Sequence, residues 1–105
     1  MSDQERLCDV CCAGIDALSG HVTKNMWAVS VSVHGDHCRF NFYLEGKPDE
    51  DDEEHMTLIA TEFLAALPWP KGGDWRFFVG EPYVRHAHDT TLFLRADAPL
   101  GRRAD

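Results

Sequence analysis

Between Met26 and Leu44 apolar and polar residues alternate on both sides of a Gly-Asp pair, in the run MWAVSVSVHGDHCRFNFYL. Period two over segments of this length predicts two β-strands. A glycine at the first of two central loop positions predicts a hairpin closed by a type II′ turn at Gly35-Asp36. The turn sets the register. Pairing His34 with His37 puts Val33 beside Cys38, Val31 beside Phe40, Val29 beside Phe42 and Trp27 beside Leu44 on one apolar face. The other face carries Ser32 with Arg39, Ser30 with Asn41 and Ala28 with Tyr43. One apolar and one mostly polar face predict an antiparallel sheet covered by helices on one side only.

The flanking segments change period. In SDQERLCDVCCAGIDALSG, residues Leu7, Cys8, Cys11, Cys12, Ile15 and Leu18 recur at helical spacing, with Ser2 or Asp3 as cap and Gly20 as terminator. Gly14 fits a close approach by another element. In DEDDEEHMTLIATEFLAALP, residues Met56, Ile59, Ala60, Phe63 and Leu67 define a second helix face, with Asp49 as N-cap and Pro68 as the stop. Beyond a Pro- and Gly-rich connection, DWRFFVGEP predicts a strand with Trp75, Phe77 and Val79 on one face, ended by Pro82. TTLFLR predicts another, with Leu92 and Leu94 on one side. The order αββαββ predicts an α+β fold, a four-stranded, mostly antiparallel sheet with two helices on one face. A single domain over residues 1–96 and a flexible tail over 97–105 complete the expectation.

At 105 residues and 44% hydrophobic content, the chain suits one domain with a core large enough to need no disulfides. No signal-peptide pattern and no apolar run of membrane-spanning length is present, so the expected compartment is the cytoplasm, with reduced thiols and no membrane partner. Three of the four cysteines fall within LCDVCC, and on a buried helix stripe they act as small hydrophobes. Structural zinc usually needs a second ligand pair, and Cys38 stands alone in its neighbourhood.

Charge points to partners. There are 18 acidic and 10 basic residues, for a formal net charge of -8, and seven of the acids lie between Glu45 and Glu54. Such a surface repels nucleic acid and attracts a basic protein. Carboxylates in a first helical turn each gain about 0.3–1 kcal/mol from the helix dipole. Like charges at spacings of three and four, as in Asp49/Asp52 and Glu50/Glu54, oppose this by about 0.2–0.5 kcal/mol each. Two or three acids suffice for the helix start, so the run from Asp49 to Glu54 suggests a further role.

The six histidines include two clusters, His34 and His37 about the turn, and His86, His88 and Asp89 in HAHD. In an extended segment His86 and His88 point the same way, as a metal pair would, which makes a small metal-binding protein or enzyme subunit the competing reading. No nucleophile elbow, phosphate loop or dinucleotide fingerprint is present, and Cys38 faces the core while the histidines face outward. No catalytic residue, metal ligand or cofactor is therefore assigned.

The run WAVSVSVHGDHCRFNFYLEGKPDEDDEEHMTLIATEFLAALP resembles the hairpin and acid-started helix of small bacterial immunity proteins, encoded beside contact-dependent growth inhibition or related polymorphic toxins. The resemblance implies a cytoplasmic protein that binds one cognate toxin domain, often a nuclease. Charge and exposure, and no family motif, nominate the contact residues: Glu50, Asp51, Asp52, Glu53 and Glu54 on the helix start, and His37, Arg39, Asn41 and Tyr43 on the open sheet face.

Overall fold

In the computed structural model, which describes residues 3–101, the order is α1 (Asp3–Leu18), β1 (Met26–His34), β2 (His37–Leu44), α2 (Glu50–Ala66), β3 (Gly72–Val79) and β4 (Asp89–Leu94). This is the expected αββαββ fold. The sheet order is β3-β2-β1-β4. β1 runs antiparallel to β2 and β4, whereas β3 runs parallel to β2. A parallel pair needs a crossover, and α2 supplies it.

The hairpin register is the predicted one from His34↔His37 to Ala28↔Tyr43. Gly35 takes φ 62, and among the described residues no non-glycine, Asp36 included, has positive φ, as the type II′ turn requires. Where β1 begins and β2 ends, the register shifts. Met26, not Trp27, pairs with Leu44, and the irregularity turns Trp27 toward Ala28 and Tyr43 on the other face. A second shift, between Val29 and Ser30 against β4, lets both Leu92 and Phe93 pack on the helix-side core. Leu94 is 43% exposed, so it does not share a buried side with Leu92 as expected.

Met26, Val29, Val31, Phe40, Phe42, Leu44, Met56, Ile59 and Phe63 are fully or almost fully buried between sheet and helices. Phe63 meets Phe40 edge-on at 4.8 Å, and Phe40 stacks on Phe42 at 5.7 Å. On β3, Trp75 packs on this core beside Phe42, while Phe77 and Val79 on the same face are about two-fifths exposed.

α1 presents a different face from the expected one. Val10, Ala13, Gly14, Ala17 and Leu18 are buried, whereas Leu7, Cys8, Cys12 and Ile15 are exposed and Cys11 is half-buried. The reason is close packing. A Cβ at Gly14 would lie 2.6 Å from Leu92, so the small-residue face lets α1 approach β4 where the larger stripe would hold it off. Gly14 thus fills the expected role while the cysteines do not. The expected Ser2 cap lies outside the described residues.

Residues 97–101, expected to belong to a free tail, are tied back. Tyr83 pairs with Leu100, with the Tyr83 N–H donating to Pro99 and the Gly101 N–H to Tyr83. The remainder of that tail, 102–105, lies outside the described residues.

Phe42→Ala removes a fully buried ring and should cost about 3–5 kcal/mol in denaturant unfolding. A loss below about 1 kcal/mol would contradict the register. Thiol reagent should label Cys8 and Cys12 rapidly in the native protein. Cys38 should lag until unfolding, because it is buried and desolvation pushes its thiol up to about 11.

Candidate functional site

The start of α2 is built by its own acids. Asp49, in extended conformation, accepts from the Asp52 N–H at 2.8 Å, and the Asp52 carboxylate accepts from the Asp49 N–H at 3.2 Å. This closes a capping box, with Asp49 as the expected N-cap. Asp52 also accepts from the Asn25 side chain at 3.1 Å. Asn25 in turn donates to the Gly46 carbonyl and accepts from the Gly46 N–H. The cap therefore anchors the helix to the connections on both sides of the hairpin.

Asp52 is only 6% exposed and so is withdrawn from the surface on which its charge alone had placed it. Burial pushes its carboxyl up, but the neighbouring Thr23 hydroxyl, the Asp49 N–H and the Asn25 amide outweigh this and hold it below the ordinary carboxylate range. Glu50, Asp51, Glu53 and Glu54 are exposed. Glu45, the remaining acid of the run, is paired with Arg95.

On the sheet face away from the helices, the four nominated residues separate. His37 and Arg39 are partly exposed at the start of β2, an inner strand, and share Asp74 of β3. Arg39 binds it through Nε at 2.8 Å and a second nitrogen at 3.1 Å, which holds the Asp74 carboxyl below its usual range. Asn41 and Tyr43 are 1% and 5% exposed, so this part of the face is closed, not open.

Residues of β3 and of the segment after it close this part of the face. Tyr83 sits edge-on to Tyr43 at 5.1 Å, and Phe78 stacks on Tyr43 at 4.8 Å. Asn41 donates to Ser30 at 3.1 Å and Ser32 at 2.9 Å, and accepts from Arg76 Nε at 2.7 Å. These polar side chains are polar because they satisfy one another, which alternation alone does not reveal.

The HAHD cluster is likewise divided. Asp89 is buried and accepts from the Ser32 hydroxyl at 2.5 Å and the His86 N–H at 3.1 Å. His88 turns to His34, with ring centroids 5.0 Å apart. It also lines a cavity of about 390 Å³ with Arg6 and Arg85. Among the described residues, no three His, Cys, Asp or Glu side chains are grouped to hold a metal ion.

Sequence reasoning missed one constellation. His21, in the α1–β1 connection, and His55, on α2, approach through their Nδ1 atoms at 3.1 Å. The Nε2 of His21 faces Glu62 at 3.6 Å, and that of His55 faces Asp51 at 3.6 Å. The i,i+4 spacing of Asp51 and His55 is visible in the sequence, but the arrival of His21 is a tertiary event.

Fold and site together define a small α+β domain that holds an acid-rich helix start firmly on its sheet. The chain belongs to the MafI2 immunity protein family, which it matches over residues 7–97, and is thus a small bacterial toxin-immunity protein. None of the curated proteins matches it.

Asp52→Ala removes one half of the capping box and should cost about 1–2 kcal/mol at neutral pH. Because the folded state lowers this carboxyl, its contribution is present above the ordinary Asp range and is lost as pH falls through the folded value. Urea denaturation of parent and variant should accordingly differ most at pH 7 and converge below about pH 4.

Proposed function

We propose that the protein neutralises its cognate toxin domain, a cationic nuclease, by presenting Glu50, Asp51, Glu53 and Glu54 to it in the cytoplasm. It acts as a stoichiometric inhibitor with no catalytic step of its own. One observation carries the reading: the capping box uses Asp49 and Asp52, and leaves these four carboxylates exposed beyond what the helix start requires. Their mutual repulsion disfavours the helix, and a cationic partner would relieve it. Nuclease sites hold phosphate with Lys, Arg and His, so a fixed carboxylate array can stand where the nucleic-acid backbone would lie. Nucleic acid itself is not a partner in this reading. His37 and Arg39 at the start of β2 remain a second nominated contact, with Arg39 already engaged by Asp74.

The test changes Glu50→Gln, Asp51→Asn, Glu53→Gln and Glu54→Gln together, leaving Asp49 and Asp52 to keep the cap. Binding kinetics are measured at two salt concentrations with the toxin domain encoded beside this protein. Association should slow by about tenfold or more at low salt and lose most of its salt dependence, because steering between opposite charges is screened beyond about 8 Å at physiological ionic strength. An unchanged rate and salt slope would make the acidic run a solvated helix start and move recognition to the sheet face around His37 and Arg39.

A further inference from the structure

We propose that the cavity beside the hairpin turn is a binding site for a small monocarboxylate, with Arg6 and Arg85 taking the carboxylate group and an apolar wall taking its short chain. The observation is where the unmatched cations fall. Among the described residues Arg39 and Arg95 are paired with carboxylates, and Arg76 is bound to the Asn41 amide. Arg6 and Arg85 remain. No carboxylate of the described side chains is paired with either, in a chain of formal net charge -8, and both line the same cavity of about 390 Å³. That volume lies within the range of small-molecule sites.

The cavity is enclosed by the first turns of α1, the end of β1 with its turn, and the segment that leads into β4. Its walls are fixed. Arg6 donates an N–H to the Gly35 carbonyl at 3.1 Å, and its guanidinium lies 4.7 Å over the Trp69 ring. A carbonyl and a ring face attract a cation without neutralising it. On the other wall, the His88 carbonyl accepts from the Val33 N–H at 3.2 Å and the His86 carbonyl from the Asp89 N–H at 3.0 Å, which holds the segment that carries Arg85. Arg85 itself is exposed and has no hydrogen bond or ion pair among the described residues. Alone it would be an ordinary surface arginine, but here it shares a cavity with a second guanidinium held in place.

Charge and lining select the ligand. Asp89 also borders the cavity, but its two carboxylate oxygens are taken by the Ser32 hydroxyl and the His86 N–H. Two guanidinium groups against one carboxylate leave a single positive charge, which suits one further carboxylate better than a doubly charged phosphate placed beside Asp89. Leu7, Val10, Val33 and Ala87 add apolar surface, which suits a short aliphatic chain better than a bare ion. None of the lining residues belongs to α2, so the site is separate from the acidic helix start and opposite to it in sign.

The experiment titrates the full ¹⁵N-labelled chain, without any partner, with sodium butyrate, acetate and phosphate at constant ionic strength, and follows the backbone amides of Gly35, Ala87 and Thr90. Its outcome is independent of whether the acidic surface binds a toxin. Butyrate should give saturable shifts at all three amides in the millimolar range, and acetate, shorter by two methylenes, should bind about fivefold more weakly. Phosphate should also bind more weakly than butyrate. Arg85→Gln, at an exposed position, should weaken butyrate binding about tenfold. Lys71→Gln, outside the cavity, should leave it unchanged. Leu7→Ala should narrow the gap between butyrate and acetate, which attraction between charges alone would not do. Butyrate shifts that never saturate, or equal affinity in the parent and the Arg85→Gln protein, overturn the proposal, and phosphate binding tighter than butyrate overturns the choice of a monocarboxylate.

Discussion

Everything in this molecule is referred to the pairing of β1 with β2. The two-residue turn at Gly35-Asp36 permits one register, and that register aligns Val29, Val31 and Cys38 with Phe40 and Phe42 on a single buried face. β3 and β4 then add to the two outer edges, and both helices lie on the apolar side. At the far end of the hairpin, Asn25 and Gly46 bind each other across the strand ends, and Asp52 joins them. The acidic helix start is thus positioned by the hairpin as much as by its own cap.

The parts legible in the sequence are those where one local rule acts alone. The hairpin is set by period two and a glycine turn, and the α2 start by Asp49 as its N-cap. Both involve residues within hydrogen-bonding reach along the chain. α1 is rotated from the expected face, because helical spacing alone puts Cys, Ile and Leu on the burial stripe. Close packing favoured Ala13, Gly14 and Ala17 instead, and that preference depends on Leu92, some eighty residues away. The parallel placement of β3 and the irregularity in β4 are likewise decided by neighbours in space.

Among the nominated contact residues, the sequence could not separate a charge that faces water from one that serves the fold. Asp51 and Asp52 are adjacent and chemically identical, yet one is exposed and the other is the second half of a capping box. Asn41 and Tyr43 alternate correctly onto the polar face, but Phe78 and Tyr83 lie over that face. Polarity marked the face without showing that a later segment would cover it.

That covered face bears on how the chain avoids pairing with itself wrongly. Ser30, Ser32, Asn41, Arg76 and Asp89 come from β1, β2, β3 and β4, and their hydrogen bonds interlock across all four strands. An apolar face tolerates a two-residue slip, since one Val or Phe replaces another at small cost. These polar groups do not, because a slip would strand a buried amide and carboxylate without partners. The network therefore works as a lock on alignment: it adds little to the depth of the native state, but it raises the energy of the neighbouring misaligned sheets.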